Sequence, residues 1–87
     1  MKVQAEVSLY PLRIENLSEA IDSFRRELSR RELEVSAVPM STHVSGDCDN
    51  VFSALQSAFA EVAGEYDVVL NVKISNACPE TPGGAGK

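Results

Sequence analysis

Ala5-Glu6-Val7-Ser8-Leu9-Tyr10-Pro11-Leu12 alternates apolar and polar side chains and runs into a proline, and Val72-Lys73-Ile74-Ser75-Asn76-Ala77-Cys78-Pro79 does the same near the other end of the chain. A period of two sends successive side chains to opposite faces of a sheet. In the first segment Val3, Ala5, Val7 and Leu9 share one face, and Gln4, Glu6, Ser8 and Tyr10 share the other. In the last, Val68, Leu70, Val72 and Ile74 stand against Val69, Asn71, Lys73 and Ser75. Strands of this kind imply a small sheet that is covered on one face and open on the other. The open face, rich in Glu, Lys, Asn, Ser and Tyr, is the place to look for function.

Working inward, the first strand is expected from Met1 to about Leu9, ended with the help of Pro11, which removes a ladder donor. Asn16 or Ser18 is suited to cap a helix, with Glu19 placed as in a capping box. Leu17, Ile21, Phe24 and Leu28 then recur at helical spacing and predict an amphipathic helix to about Arg31. Leu33–Val38 and Met40–Ser45 read as two short strands turning at Pro39, a hairpin. Gly46 with Asp47, Asp49 and Asn50 supplies a turn and an N-cap. Val51, Phe52, Leu55, Phe59 and Val62 predict the buried stripe of a second helix, stopped at Gly64. Tyr66–Ser75 is the last strand.

The order strand, helix, strand, strand, helix, strand predicts a ferredoxin-like α+β sandwich: a four-stranded antiparallel sheet with two helices on one face. The expected sheet order is last, first, third, second. Within it the first and last strands are expected as antiparallel neighbours, and the first and third as parallel ones. Residues 1–79 make a single domain, and residues 80–87, with nothing to bury, a flexible tail.

A chain of 87 residues holds one domain. At this length only about 60% of the unfolded surface is buried, so a partner subunit would add stability. Apolar content of 44% and charged content of 24% are those of an ordinary globular domain. No apolar run approaches the roughly 18 residues of a membrane span. With no basic-then-apolar leader before the first strand, the expected location is the cytoplasm.

A net charge of −5 argues against nucleic acid, which calls for a basic surface. Arg25, Arg26, Arg30 and Arg31 do cluster, but Glu27, Glu32 and Glu34 beside them indicate a mixed, solvated helix face. Two cysteines are too few for a disulfide framework or a zinc knuckle. Cys48 follows the third strand and Cys78 the last. Those strands are read as antiparallel, which would put the thiols at opposite ends of the sheet and argues against an internal bridge.

Carrying the alternation into the third strand turns Val44 toward the helices and Ser41, His43 and Ser45 to the open face. The candidate ligand-binding residues are Glu6, Ser8, Tyr10, His43, Ser45, Asn71, Lys73 and Ser75, joined by Asn76 just beyond the strand. Groups held on stiff strands suit a flat polar ring, because nothing must reorganise to meet it. Each also has a plainer role. Glu6 and Lys73 form a possible cross-strand ion pair, and Tyr10 serves equally as a packing anchor or a subunit contact. The serines suit an ordinary solvated strand, and Asn76 suits the turn into Pro79. For His43, with no second histidine or paired carboxylate nearby in sequence, the structural role outweighs a catalytic or ligating one.

No phosphate loop, serine elbow, metal-ligand spacing or paired acid motif occurs, so no catalytic residue, metal or cofactor is assigned. A binding protein is favoured over an enzyme. An enzymatic reading would rest on His43 and Cys78, without an activating base beside the thiol.

Three separated blocks, Ala5-Glu6-Val7-Ser8-Leu9-Tyr10-Pro11-Leu12, Pro39-Met40-Ser41-Thr42-His43-Val44-Ser45-Gly46 and Ser75-Asn76-Ala77-Cys78-Pro79, resemble the YkoF-like, MTH-type thiamine-binding family over roughly residues 1–79. The resemblance implies a ferredoxin-like fold that binds thiamine or its hydroxymethylpyrimidine part, in thiamine salvage or transport and without a catalytic step. It also implies assembly as a homodimer or homotetramer. The tail after Pro79 departs from the family's usual abrupt end. The competing expectation is a regulatory or assembly module without a small-molecule ligand, its open face buried in subunit contacts.

Overall fold

Lys2–Leu12 forms the longest strand, β1, and it organises the rest of the chain. A computed structural model describes residues 1–39 and 41–77. Helix α1 spans Leu17–Leu28, strand β2 Glu34–Val38, strand β3 Ser41–Asp47, helix α2 Cys48–Ala63 and strand β4 Asp67–Ser75. The strands make one sheet in the order β2-β3-β1-β4. This is the ferredoxin-like α+β sandwich. Met40, as the start of the third strand, and the expected tail at 80–87 lie outside the described residues, as does Cys78.

Every neighbouring pair is antiparallel, including β1 and β3, which corrects the parallel pairing expected for those two. The reason is connectivity. The crossover through α1 leaves β2 running with β1, and the hairpin at Pro39 then reverses β3. Since β4 also opposes β1, β3 and β4 run the same way. The separation expected for the two cysteines rested on β3 and β4 being antiparallel, so it no longer follows. Cys48, the one described cysteine, is an unbridged thiol packed against the core.

Alternation decides which residues are buried. Val3, Ala5, Val7 and Val44 turn to the helices and are 1–6% exposed. From α1 come Ala20, Phe24 and Leu28, and from α2 Val51, Ala54, Leu55, Ala58 and Val62, all in one cluster. Phe52 and Phe59, expected in the α2 stripe, are instead 55% and 39% exposed. The helix is rotated so that Ala54 and Ala58, whose small side chains let it lie close, face inward. Leu17 and Ile74 likewise remain exposed, whereas Val68, Leu70 and Val72 are half-buried against the core.

Strand β1 runs through Pro11 rather than stopping before it. Its ladder with β3 ends at Val7–Thr42, while that with β4 continues to Leu12–Asp67. Beyond Val7, β1 is therefore an edge on one side, where a residue lacking an N–H is tolerated. Helix α1 ends at Leu28, short of Arg31. There Ser29 closes the last turn, its N–H and Oγ both donating to the Arg25 carbonyl. Asn16 is its N-cap but makes no side-chain cap bond. Glu19 does not complete a capping box and accepts from the Tyr66 hydroxyl at 3.5 Å. Partial burial raises the Tyr66 phenol above its ordinary value, and the Glu19 and Glu65 carboxylates push the same way.

Asp47 caps α2 by accepting from the Asp49 N–H at 3.3 Å. Gly64 ends that helix in right-handed conformation, so its glycine freedom is not needed there. Gly46 is different: φ is 158°, and a Cβ there would sit 2.6 Å from Leu33 Cδ2. A side chain at this position would push Leu33 off the core's rim.

Candidate functional site

Strand register assembles the open face into rows. Glu6 pairs with His43 of β3 on one side and Lys73 of β4 on the other, and His43 pairs with Ser36 of β2. The result is a row Ser36, His43, Glu6, Lys73 across all four strands. Beside it runs a second row, Glu34, Ser45, Gln4 and Ser75. On the other side Ser8 pairs with Asn71, and further along Tyr10 pairs with Val69.

The first two rows line an open groove of about 740 Å³, a volume within the usual range for small-molecule sites. An adjoining hollow of about 320 Å³ is lined by Glu6, Ser8, Tyr10, Pro39, Ser41, Asn71 and Lys73. Glu6 and Lys73 border both. Of the residues expected at the site, Glu6, His43, Ser45, Lys73 and Ser75 line the groove, and Ser8, Tyr10 and Asn71 the hollow. Asn76 does not join them. Its amide points to Met1 Sδ at 3.8 Å, and it lines neither cavity.

The third-strand phase holds. Ser41 donates to Glu6 Oε2 at 3.4 Å on the open face, while Thr42, on the opposite face, accepts from Arg25 Nε at 3.0 Å. Glu6 is half exposed, with Oε2 3.9 Å from His43 Nε2, a distance that becomes an ion pair only when the imidazole is protonated. The expected Glu6–Lys73 ion pair is not closed. The two residues are register partners, yet Lys73 takes part in no ion pair among the described residues. No carboxylate among the described residues holds its ammonium, and the residue lines both cavities. The Ser75 hydroxyl is occupied locally, accepting from the Ala77 N–H at 2.9 Å.

Two lining residues, Glu34 and Ser36, escaped the sequence reading. The signal was present, since Glu34, Ser36 and Val38 alternate with Val35 and Ala37. It became useful only once β2 was paired through β3, with Glu34 opposite Ser45 and Ser36 opposite His43. Glu34 Oε1 accepts from the Ser45 hydroxyl at 3.4 Å. The groove thus carries carboxylates on β1 and β2, an imidazole on β3 and an ammonium on β4. Past Tyr10 the same face turns apolar, with Tyr10, Leu12 and Val69 at 52%, 39% and 49% exposure.

Chemically, the site offers carboxylate acceptors, hydroxyl donors and one aromatic ring on a stiff platform, a set suited to holding a planar ring by its edge groups. Among the described residues no cluster of three or more histidine, cysteine or acidic side chains is placed to hold a metal. No helix there is long and apolar enough to cross a membrane.

A family model described as the YKOF-related Family matches residues 2–81. No curated protein matches the chain. Among solved structures, a hypothetical protein of Methanocaldococcus jannaschii is 29% identical with a TM-score of 0.82, over 92% of this chain and 84% of that one. A protein of Streptococcus pneumoniae aligns over the whole of both chains at 23% identity and a TM-score of 0.83. A candidate thiamine biosynthesis/salvage protein of Thermotoga maritima reaches a TM-score of 0.83 at 17% identity, covering 99% of this chain and 98% of that one. The last two likenesses establish the fold.

Proposed function

The chain belongs to the YKOF-related family, and from that premise we propose that it binds thiamine, or the hydroxymethylpyrimidine part of it, in the groove on its open sheet face. The carrying observation is the four-strand row Ser36, His43, Glu6, Lys73 at the base of a 740 Å³ groove. The description of the Thermotoga maritima neighbour supports the same ligand class.

Thiamine joins a flat aminopyrimidine to a cationic thiazolium. In this reading Glu6 accepts from the exocyclic amino group, a charge-assisted bond stronger than a neutral one. Hydroxyls and amides of the neighbouring rows meet the ring nitrogens, and Tyr10, at the edge of the adjoining hollow, offers a face for stacking. Rigid strands present these groups with little ordering cost on binding. The protein acts as a carrier or receptor in salvage or transport, without a chemical step of its own. Titration calorimetry tests this directly: saturable heat is expected with both thiamine and hydroxymethylpyrimidine. No saturation with either at about millimolar ligand, the weak end of specific affinity, would refute it.

The apolar end of the same face, Tyr10, Leu12 and Val69, favours self-association as a homodimer or homotetramer. A solution mass of two or four chains is the expected result of light scattering, with ligand binding retained. A monomer would remove the assembly. An oligomer that binds neither ligand would favour the competing reading, a face consumed entirely by subunit contact.

A further inference from the structure

The groove's charges are unevenly placed, and this deepens the ligand reading on which it rests. Its carboxylates lie on different strands, Glu6 mid-sheet and Glu34 on the β2 edge, against one ammonium, Lys73, and the His43 imidazole. Glu34 stands one row from Glu6 and two strands across. With strands about 4.8 Å apart and a rise of about 3.4 Å per residue, the two Cα atoms are roughly 12 Å apart. A single two-ring ligand lying in the groove can meet both side chains.

Phosphate is normally held by guanidinium forks, helix N-termini or nests of free backbone N–H groups. None of these lines the groove among the described residues. Both helices cover the opposite sheet face. Strands β1 and β3 are paired on both sides there, so their amides are spent in ladders. The arginines lie elsewhere: Arg13 pairs with Asp67, Arg25 donates to Thr42 on the helix side, Arg30 pairs with Glu27 and Arg31 donates to Ser57. Arg26 lines a separate hollow along α1. Lys2 stands on the open face one row beyond the groove and lines neither cavity.

We propose that the groove selects a flat polar ring carrying a positive charge and rejects the phosphate esters of that ligand, with Glu6 holding the ring and Glu34 facing the cationic end. A phosphate on the cationic arm would bring negative charge against Glu34 on β2, three strands across the sheet from the Lys73 ammonium on β4. Glu34 is thus a specificity residue, separable from Glu6.

The test is calorimetry with thiamine, hydroxymethylpyrimidine and thiamine monophosphate on the wild-type chain and on Glu34→Gln. Thiamine monophosphate is expected to bind about tenfold or more weakly than thiamine. Glu34→Gln should weaken thiamine by about three- to fivefold, the scale of a partly exposed charge contact, and leave the uncharged hydroxymethylpyrimidine unaffected. Glu34→Lys should narrow the gap between thiamine and its monophosphate. Monophosphate binding as tight as thiamine would overturn the selectivity. A Glu34→Gln change that weakens both unphosphorylated ligands alike, or neither, would overturn the role of Glu34. If all three ligands fail on the wild-type chain, the ligand reading itself falls and this inference with it, an outcome distinct from equal binding of all three.

Discussion

Replacing Glu6 by Gln is expected to weaken thiamine binding by roughly ten- to a hundredfold, the cost of turning a charge-assisted hydrogen bond into a neutral one. The substitution keeps the side chain's shape and an oxygen for the Ser41 hydroxyl, which donates to Glu6 at 3.4 Å. What it removes is negative charge, at one of the two positions, with Lys73, that border both the groove and the adjoining hollow. The carboxylate is half exposed, so folding should be spared, with stability changed by about 0.5 kcal/mol or less. The same calorimetric titration measures the first effect, and thermal unfolding checks the second. An unchanged dissociation constant would move the ligand off this face. A lost fold with unchanged affinity per folded molecule would make Glu6 a structural residue.

The largest expected loss of stability lies on the other side of the sheet. Phe24→Ala should cost about 3–5 kcal/mol, from lost burial together with the cavity left behind. Phe24 is 2% exposed and is one of the largest side chains in the core. A domain of this size is stable by about 4–13 kcal/mol in all, so the loss is a large share of it. Urea unfolding should show the midpoint falling steeply while the slope is retained. A loss below about 1 kcal/mol would mean that α1 is not packed as described. Its neighbour on the next turn, Leu28, is fully buried, so the helix has little room to collapse into the gap.

The two substitutions probe opposite faces of one alternating pattern, and that pattern was readable in advance. Val3, Ala5 and Val7 against Gln4, Glu6 and Ser8 announce a half-covered sheet, because a strand can bury only every second side chain. Val44 set the phase of β3 correctly for the same reason. Phe24 and Leu28 were legible as core because four residues bring a helix back to nearly the same face. On α2 the same rule left a choice. Phe52 and Phe59 form a stripe seven apart as good as Val51, Ala58 and Leu55, and composition favours the larger side chains. The structure buries the alanines, since close approach of helix to sheet depends on the backbone-to-backbone distance and not on the hydrophobicity of any one residue.

The amino-acid sequence by itself determined the six elements, their order, the covered and open faces, and most of the polar groups on the open one. All of these depend on local periodicity and turn chemistry, which neighbours along the chain suffice to express. Only the tertiary structure decided that β1 runs past Pro11 beside β4, that Glu34 and Ser36 enter the groove, and that Asn76 turns away to Met1. Those outcomes hang on register between strands distant in sequence. A slip of one residue would have sent every polar side chain of a strand to the other face, and no local signal specifies which residue of β2 stands beside Ser45 or His43.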